Sequence, residues 1–366
     1  MNKRSKRYTD EFKMLILELL EEGRTKKSLE NEYGVATATI RKWEKEFKGI
    51  IDKKYNANKA LNEIMALKRQ LQQEMDKNKK LSYIATYAIL LVLYFILFSL
   101  INSGFISRYQ IGIIILILIN VILAASLNIT VGCLGQITLG HAGFMSIGAY
   151  TAALLTKSGF LSGYPGYIVA LIVGGIVAGI IGFIIGIPAL RLTGDYLAII
   201  TLAFGEIIRV LIEYFKFTGG AQGLTGIPKV NNFTLIYFIT IFSVIFMYSI
   251  MTSRHGRAVL AIREDEIASG ASGINTTYYK TFAFVLSAIF AGIAGGIYAH
   301  NLGILGAKQF DYNYSINILV MVVLGGMGSF TGSILSAIVL TILPEVLRSF
   351  AEYRICLLYT SDAADE

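Results

Sequence analysis

Long apolar runs separated by short polar connections fill most of the chain after about residue 81. Several of these runs reach the ~20 apolar residues that a helix needs to cross a lipid bilayer. On this pattern we predict nine spans, at roughly 82–101, 110–130, 138–156, 166–187, 195–214, 233–251, 281–300, 315–327 and 331–348. The fold class that follows is all-α, a polytopic helical membrane bundle.

Two of the nine predicted spans differ from the others because they are rich in glycine. Residues 138–156 and 315–327 fit either ordinary spans or broken, re-entrant helices. Irregular backbone is tolerated at membrane depth only where protein or a cavity covers it. Small residues also recur at four-residue spacing, which predicts close helix packing. The pairs are Gly175/Gly179, Gly182/Gly186 and Gly292/Gly296.

The first part of the chain is polar and has a different pattern. Residues 9–22 carry apolar positions at helical spacing, with Thr9 as the N-cap and Gly23 as the stop. A second short helix is expected at about 25–33, followed by a turn at Gly34 and a third helix. This order predicts an N-terminal helix-turn-helix. Its small core would contain Leu29, Val35, Ile40 and Trp43.

The third helix, at 37–47, would present polar and basic side chains to a major groove. Basic groups meet phosphates there, and threonine hydroxyls meet base edges. The predicted DNA-binding residues are Thr37, Thr39, Arg41 and Lys42. A further helix at 57–80 carries apolar residues along one side, at Leu61, Ile64, Leu67 and Leu71. With fewer than three heptads, a short coiled-coil dimer and a solvated basic helix both fit.

Charge divides the chain in the same place. Of 366 residues, 54% are hydrophobic and 16% charged, and the mean hydropathy is +0.59. Residues 1–80 hold 20 of the 33 Lys and Arg and 13 of the 25 Asp and Glu, a net charge of +7 against +1 for the remainder. The positive-inside rule therefore predicts a cytoplasmic N-terminus. Counting spans from there places 188–194 and 252–280 on the cytoplasmic side as well.

Charged and titratable residues within the spans are few. Glu206 and Arg209 lie three apart on one helix face, where they could pair, and an intramembrane carboxylate is a default pathway candidate. Gly140 and His141 complete the set of translocation-pathway candidates, although a hydrogen-bonded packing role fits His141 at least as well. Four other residues are expected to have no pathway role. Arg191 and Asp195 would anchor and cap a helix end, His255 would be a solvated loop residue, and His300 would lie at the membrane interface.

The sequence lacks the common catalytic and nucleotide-binding patterns. It contains no G-x-x-x-x-G-K-[ST], no H-E-x-x-H and no G-x-S-x-G, and its three histidines are scattered. Its two cysteines, Cys133 and Cys356, form no CxxC pattern. We therefore predict no enzyme active site, no cofactor and no metal.

Six stretches in order resemble the M-type permease of branched-chain amino acid ABC transporters. They are GQITLGHAGFMSIGAYTAAL (135–154), GIPALRLTGDYLAIITLAFGEIIRV (186–210), GGAQGLTGIP (219–228), SRHGRAVLAIREDEIASGASGI (253–274), KTFAFVLSAIFAGIAGGIYA (280–299) and SINILVMVVLGGMGSFTG (315–332). The resemblance implies a multi-pass subunit of an importer in the bacterial inner membrane. It also implies a second homologous permease, two ATP-binding subunits that hydrolyse ATP and an external substrate-binding protein as partners.

The same resemblance assigns a role to the charged loop at 252–280. Such permeases carry a short cytoplasmic helix, often an EAA-then-Gly pattern, that couples the ATPase to the bundle. Glu266, Ala268 and Gly273 approximate that pattern, with Ile267 inserted and Ser269 in place of Ala. The implied ATPase-coupling residues are Arg257, Arg263, Glu264, Asp265, Glu266, Ala268 and Gly273.

The N-terminal segment resembles the first-frame protein of insertion-sequence transposases. The motifs are YTDEFK, EYGV and TIRKWEKEF, across about residues 7–75. No DDE-type catalytic domain follows, so the resemblance does not imply transposition. Glu30 departs from the pattern, because that core position usually carries a small residue and a buried unpaired carboxylate is costly.

These observations give four expected regions. Residues 1–50 form the helix-turn-helix, 51–80 the linker and zipper-like helix, 81–354 the permease domain and 355–366 a non-native tail that resembles translated adapter sequence. We further expect Met75 to be the native start of the permease, and a final span to be missing after residue 354. Two other functions stay open. One is a permease for urea or short amides, and the other is a membrane-tethered DNA-binding protein.

Overall fold

The computed structural model describes residues 8–347, with gaps at 22, 48–64, 66, 71–73, 75–87, 89, 105, 160–162 and 231. Contacts divide the chain into two compact units, Met1–Leu93 and Tyr94–Glu366. Most of the predicted zipper-like helix lies outside the described residues, including Leu61, Ile64 and Leu71. Leu67 is described, and it is helical and exposed.

The first unit contains the three predicted helices: α1 (Asp10–Glu21), α2 (Lys26–Tyr33) and α3 (37–47). Local chemistry fixes their ends. The Thr9 hydroxyl accepts a hydrogen bond from the Phe12 N–H, and the Thr25 hydroxyl caps α2. Gly34 ends α2 with φ +66°, a left-handed conformation that favours glycine. The predicted turn is therefore confirmed.

The core of the first unit is also as predicted. Leu29, Val35, Ile40 and Trp43 are buried together, and α1 adds Ile16 and Leu17 to the same cluster. Glu30 is only partly buried, so its carboxylate avoids the cost of full burial.

The second unit is a helical membrane bundle, which confirms the predicted fold class. Its elements in chain order are α4 (Leu90–Asn102), α5 (Arg108–Asn128, continuing as a π-helix over Ile129–Cys133), α6 (His141–Lys157), α7 (Gly163–Ala189), α8 (Asp195–Tyr214), α9 (Phe233–Thr252), α10 (Arg254–Glu264), α11 (Glu266–Ala271), α12 (Thr276–Leu302), α13 (Tyr312–Gly325) and α14 (Phe330–Leu347). Within the part of the chain that the structure describes, five helices are long and apolar enough to cross a membrane, namely α5 with its π-helical end, α7, α9, α12 and α14.

Polar residues at the helix ends set these boundaries. The Asn232 side chain caps α9 by accepting from the Leu235 N–H, and Asn275 caps α12 by accepting from the Tyr278 N–H. Gly303 ends α12 with φ +78°. Such caps satisfy backbone donors that a helix leaves unpaired at its start.

The two glycine-rich regions form short helices, and α6 begins at the buried His141. α6 has 17 residues and α13 has 14, so at ~1.5 Å per residue each falls short of a ~30 Å hydrocarbon core. The Ala142 N–H donates to the Ser315 hydroxyl at 3.0 Å, which joins the start of α6 to the first turn of α13. The His141 ring meets Ser126, whose carbonyl accepts from Ser287 in the middle of α12. The re-entrant interpretation therefore fits region 138–156 better than a complete span.

Glycines let α6, α7 and α12 pack closely around the bundle centre. A Cβ added at Gly292 would lie 2.6 Å from the Ala178 Cβ and 2.9 Å from the Gly174 carbonyl oxygen. A Cβ at Gly182 would lie 2.7 Å from the Ala288 Cβ, and one at Gly148 would overlap the backbone of Gly292. The prediction of close packing through the spaced glycines is confirmed.

Candidate functional site

The charged stretch at 254–274 contains the residues predicted to couple to an ATPase, and it is called the coupling segment after that prediction. It folds into α10 and α11, with Asp265 between them. Asp265 is extended, at φ −155° and ψ 110°. Its carboxylate accepts from the N–H groups of Ile267 and Ala268, both at 2.9 Å. A carboxylate at that position caps a helix, and its negative charge interacts favourably with the positive end of the helix dipole. Asp265 therefore ends α10 and caps α11, so that the charged stretch forms two helices with a bend between them.

Glu266 is the last residue of the acidic triplet Glu264, Asp265 and Glu266, and it ties α11 to the bundle. Its carboxylate lies 2.6 Å from the Nζ atom of Lys280 on α12. The Lys280 side chain is 6% exposed and the Glu266 side chain 42% exposed, so the pair is half open to water. Lys280 was not among the predicted coupling residues. Of the triplet, Glu264 is exposed at the end of α10.

The two arginines in the predicted coupling set are held differently. The Arg257 guanidinium, on α10, donates to the carbonyl of Thr252, the last residue of α9, at 3.3 Å. Arg263 instead reaches α5, where its Nη1 atom donates to the Gly132 carbonyl at 2.7 Å. The coupling segment is therefore anchored to the bundle at both of its helices.

The outer surface of α11 carries an apolar side chain that sequence reasoning treated only as an insertion. Ile267 is 86% exposed, and its neighbours Ala268, Gly270 and Ala271 are also exposed, whereas Ser269 is buried. Gly273 follows with φ +86°, and its N–H donates to the Gly270 carbonyl at 3.0 Å. An exposed isoleucine on a short anchored helix is a surface suited to fit an apolar pocket of a partner.

The pathway candidates Gly140 and His141 lie at the start of α6, well inside the bundle. His141 is 3% exposed, and its Nε2 atom lies 2.9 Å from the Ser126 hydroxyl. Gly140 packs against α8, where the Leu139 N–H donates to the Thr201 hydroxyl at 3.0 Å. These contacts give His141 a hydrogen-bonded packing role at the junction of α5 and α6.

The predicted pair on α8 is confirmed, and a third charge joins it. Arg209 donates to Glu206 at 2.7 Å and to Glu213 at 3.4 Å. All three side chains are partly buried, at 23–31% exposure. Glu213 lies four residues beyond Arg209, so the i, i+4 spacing was available in the sequence. The cluster has a net charge of −1 on one stripe of the helix.

Gly140 and Glu206 lie on neighbouring helices without forming one polar cluster. The start of α6 packs closely on α8, where a Cβ added at Gly205 would lie 3.2 Å from the Gly140 Cα. Among the described residues, no hydrogen bond joins His141 to Glu206 or Arg209. The structure therefore brings the two sets of candidates to adjacent helices only.

His300 lies near the end of α12 and is enclosed by protein, which the sequence did not predict. It is fully buried, with Nδ1 2.7 Å from the Gly296 carbonyl and Nε2 3.0 Å from the Thr156 hydroxyl. The connection before α9 covers it, since the Val230 N–H donates to the His300 carbonyl. With Tyr167, His300 and Thr156 line a cavity of about 550 Å³.

Two smaller expectations about charged groups also change. His255 lies in the first turn of α10 rather than in a loop, although it is exposed as expected. Asp195 is the first residue of α8, and the N-cap is Gly194, which has no side chain to cap with. Asp195 and Arg191 are both exposed.

On the first unit, Arg41 and Lys42 are exposed on α3, as expected for groups that meet phosphates. Thr37 and Thr39 are half-buried. Lys26 pairs with Glu44 of α3 at 2.6 Å, which joins α2 to α3.

Comparison with known proteins identifies relatives for both parts. Residues 109–361 match the family described as branched-chain amino acid transport system / permease component, and residues 1–82 match a family described as transposase. The high-affinity branched-chain amino acid transport system permease protein LivM is 37% identical over 251 residues in Salmonella typhimurium and 38% in Escherichia coli, covering 59% of this chain and 58% of each relative. BraD of Pseudomonas aeruginosa, named as a permease of the same kind, is 27% identical over 127 residues, covering 34% of this chain and 41% of BraD.

The chain thus spans about three fifths of the length of the two LivM relatives. No solved structure matches it.

Proposed function

The chain belongs to the family of branched-chain amino acid transport system permease components, and we propose that it is the permease subunit of an ATP-driven importer of branched-chain, aliphatic amino acids. It is an integral membrane protein of the helical-bundle class. In the proposed complex it pairs with a second homologous permease, two ATP-binding subunits and an extracytoplasmic substrate-binding protein. Its N-terminus would lie in the cytoplasm of a bacterial cell, inside the inner membrane.

The observation that carries the proposal is the coupling segment. It presents the exposed Ile267 on α11 and holds that helix to the bundle through Glu266 and Lys280. A short anchored helix transmits a push from a partner as a rigid-body shift, because packed helices move together rather than deform. We therefore propose that ATPase closure acts on α10 and α11, and that the bundle responds by changing the access of the pathway.

The proposed pathway runs beside α6 and α8, where Gly140, His141, Glu206 and Arg209 are the candidate residues. The two short helices α6 and α13 meet there through Ala142 and Ser315. Broken helices inside a bundle are a common place for transported groups, since their ends expose backbone donors and acceptors.

A reconstituted importer tests the coupling role. Leucine uptake and phosphate release are measured together in proteoliposomes that contain the chain and its partner subunits. Glu264→Ala and Gly273→Pro are each expected to lower uptake per ATP hydrolysed by about tenfold. Lys216→Ala, at an exposed position just after α8, is the control and should keep the wild-type ratio. Full uptake by both variants would refute the coupling role.

A permease for urea or short amides is the alternative within transport. The resemblance implies that the substrate-binding protein largely sets specificity, so the two substrates are separated by competition. Excess isoleucine should abolish leucine uptake, whereas excess urea should leave it unchanged. A gene neighbourhood with a sister permease, two ATPases and a binding protein would support import in either case.

A second candidate function concerns the first unit alone. The exposed Arg41 and Lys42 on α3, together with the transposase match, favour DNA binding. A salt-dependent gel shift with residues 1–74 tests it, because phosphate contacts weaken as counterion concentration rises. Binding with no salt dependence, or no binding at low salt, would refute it. If the DNA-binding unit acts together with the membrane bundle as its anchor, the protein would be a membrane-tethered DNA-binding protein.

A further inference from the structure

One side chain joins the coupling segment to the inside of the bundle. Arg263 lies in the last turn of α10, and its Nη1 atom donates to the Gly132 carbonyl at 2.7 Å. Gly132 belongs to the π-helical end of α5, where the last carbonyls have no partner within the helix. A guanidinium there makes a charge-assisted hydrogen bond, and its positive charge interacts favourably with the negative end of the helix dipole.

The same side chain touches two further segments. A Cβ added at Gly328 would lie 2.9 Å from the Arg263 Nη1 atom, and a Cβ at Gly135 would lie 3.0 Å from its Cγ atom. Gly135 begins the connection that leads to α6, and Gly328 lies in the turn between α13 and α14. Arg263 therefore contacts the end of α5, the entry to α6 and the exit from α13.

A buried asparagine closes this arrangement. The Gly328 N–H donates to the Asn128 Oδ1 atom at 2.8 Å, and Asn128 is fully buried one residue before the π-helix. Its Nδ2 atom has no hydrogen-bond partner among the described residues. A buried unsatisfied donor, together with a π-helical turn, is typical of a site that changes its contacts during function.

We propose that Asn128, Gly132, Arg263 and Gly328, called the arginine junction, carry motion of the coupling segment to both short helices. The inference rests on the proposed coupling function and adds a positioning residue to it. Arg263 is an exposed residue whose guanidinium binds the bundle, and in this proposal it passes a displacement of α10 to α6 and α13 together. Because those helices meet at Ala142 and Ser315, one displacement of Arg263 reaches the candidate pathway from both sides.

Two glycines of one turn provide a matched test. Gly326 and Gly328 both have positive φ, +88° and +89°, so alanine is strained at either position. A Cβ at Gly328 presses on the Arg263 guanidinium, whereas a Cβ at Gly326 has nothing within 4 Å. In the reconstituted importer, Arg263→Ala and Gly328→Ala should each lower uptake per ATP by about tenfold, and Gly326→Ala should not.

The double variant separates a transmitting contact from simple damage to the turn. If Gly328→Ala acts by displacing Arg263, it should add no more loss to Arg263→Ala than Gly326→Ala adds. Additive losses, or equal losses for Gly326→Ala and Gly328→Ala, would overturn the proposal.

A measurement without transport distinguishes failure of the junction from failure of the proposed function. Amide hydrogen exchange of the full chain in micelles follows the Gly328 N–H and residues 128–136. Arg263→Ala should speed exchange in both segments by about tenfold, whereas Arg254→Ala, exposed at the other end of α10, should not. If Arg263→Ala speeds exchange but the parent chain imports no amino acid, the proposed function is refuted and the arginine junction is supported. Unchanged exchange in Arg263→Ala would overturn the junction itself.

Discussion

Replacement of Gly292 by alanine tests the close packing on which the bundle depends. The new Cβ would lie 2.6 Å from the Ala178 Cβ, 2.9 Å from the Gly174 carbonyl oxygen and 3.1 Å from the Gly175 Cα. Carbon atoms in contact prefer about 3.5–4.0 Å, so α7 and α12 must separate by roughly 1 Å. All three contacted atoms are backbone or Cβ atoms, so rotation of a side chain cannot relieve the overlap.

The expected cost follows from two opposing effects. Overpacking of this kind costs about 3 kcal/mol at the upper end of its usual range. Alanine also favours a helix over glycine by about 1 kcal/mol. The free energy of unfolding should therefore fall by about 2 kcal/mol, and the thermal midpoint by about 4–8 °C for a unit of this size. Gly112→Ala is the matched control, because a Cβ there meets nothing within 4 Å.

Cys133 supplies the assay, because its thiol is free and buried at the end of α5. In a Cys356→Ser background it is the only cysteine of the chain, so a fluorogenic maleimide reports unfolding as the micelle sample is heated. Gly292→Ala should label at a lower temperature than the parent, and Gly112→Ala at the same or a higher one. Equal midpoints for Gly292→Ala and the parent would refute the packing described for α7 and α12.

Three further predictions concern charge. Glu266→Ala should lower the free energy of unfolding by about 1–3 kcal/mol, and with it the labelling midpoint, because the buried Lys280 ammonium loses its partner. Lys280→Met should lower the midpoint less, and the reverse order would contradict the pairing. Arg209→Ala should lower the midpoint more than Glu213→Ala, since it leaves two carboxylates unpaired and Glu213 makes the longer contact; equal midpoints would count against the cluster. Arg41→Ala should reduce the salt slope of DNA binding by residues 1–74 by about 1, and a gel-shift titration with an unchanged slope would remove Arg41 from the interface.

The bundle could be predicted from the sequence where local signals mark the helix ends. The expected span 233–251 agrees with α9 (Phe233–Thr252) to within a residue, because Asn232 and Ser253 cap the two ends of an apolar run. The core of the first unit was equally accessible, since Leu29, Ile40 and Trp43 are apolar positions of α2 and α3 and Val35 is the apolar residue of the turn between them.

The site was less accessible because its contacts join residues far apart in the chain. Arg263 lies 131 residues from Gly132, and no local pattern indicates that it turns toward α5. The sequence could not show that the connection before α9 covers His300, because that contact joins two distant parts of the chain. The exposure of Ile267 had a weak signal, an isoleucine within a charged stretch, whose meaning depends on the bend at Asp265.

Leucine uptake is the measurement that tests the central claim most directly. Radiolabelled leucine is supplied to a strain that lacks its own branched-chain permease but keeps the partner subunits, and the chain is expressed from a plasmid. Membrane insertion is checked in the same cells by protection of Cys133 from maleimide. We predict saturable, ATP-dependent uptake that excess isoleucine abolishes. An inserted chain that takes up no leucine, isoleucine or valine above the empty-plasmid level would contradict the proposed function.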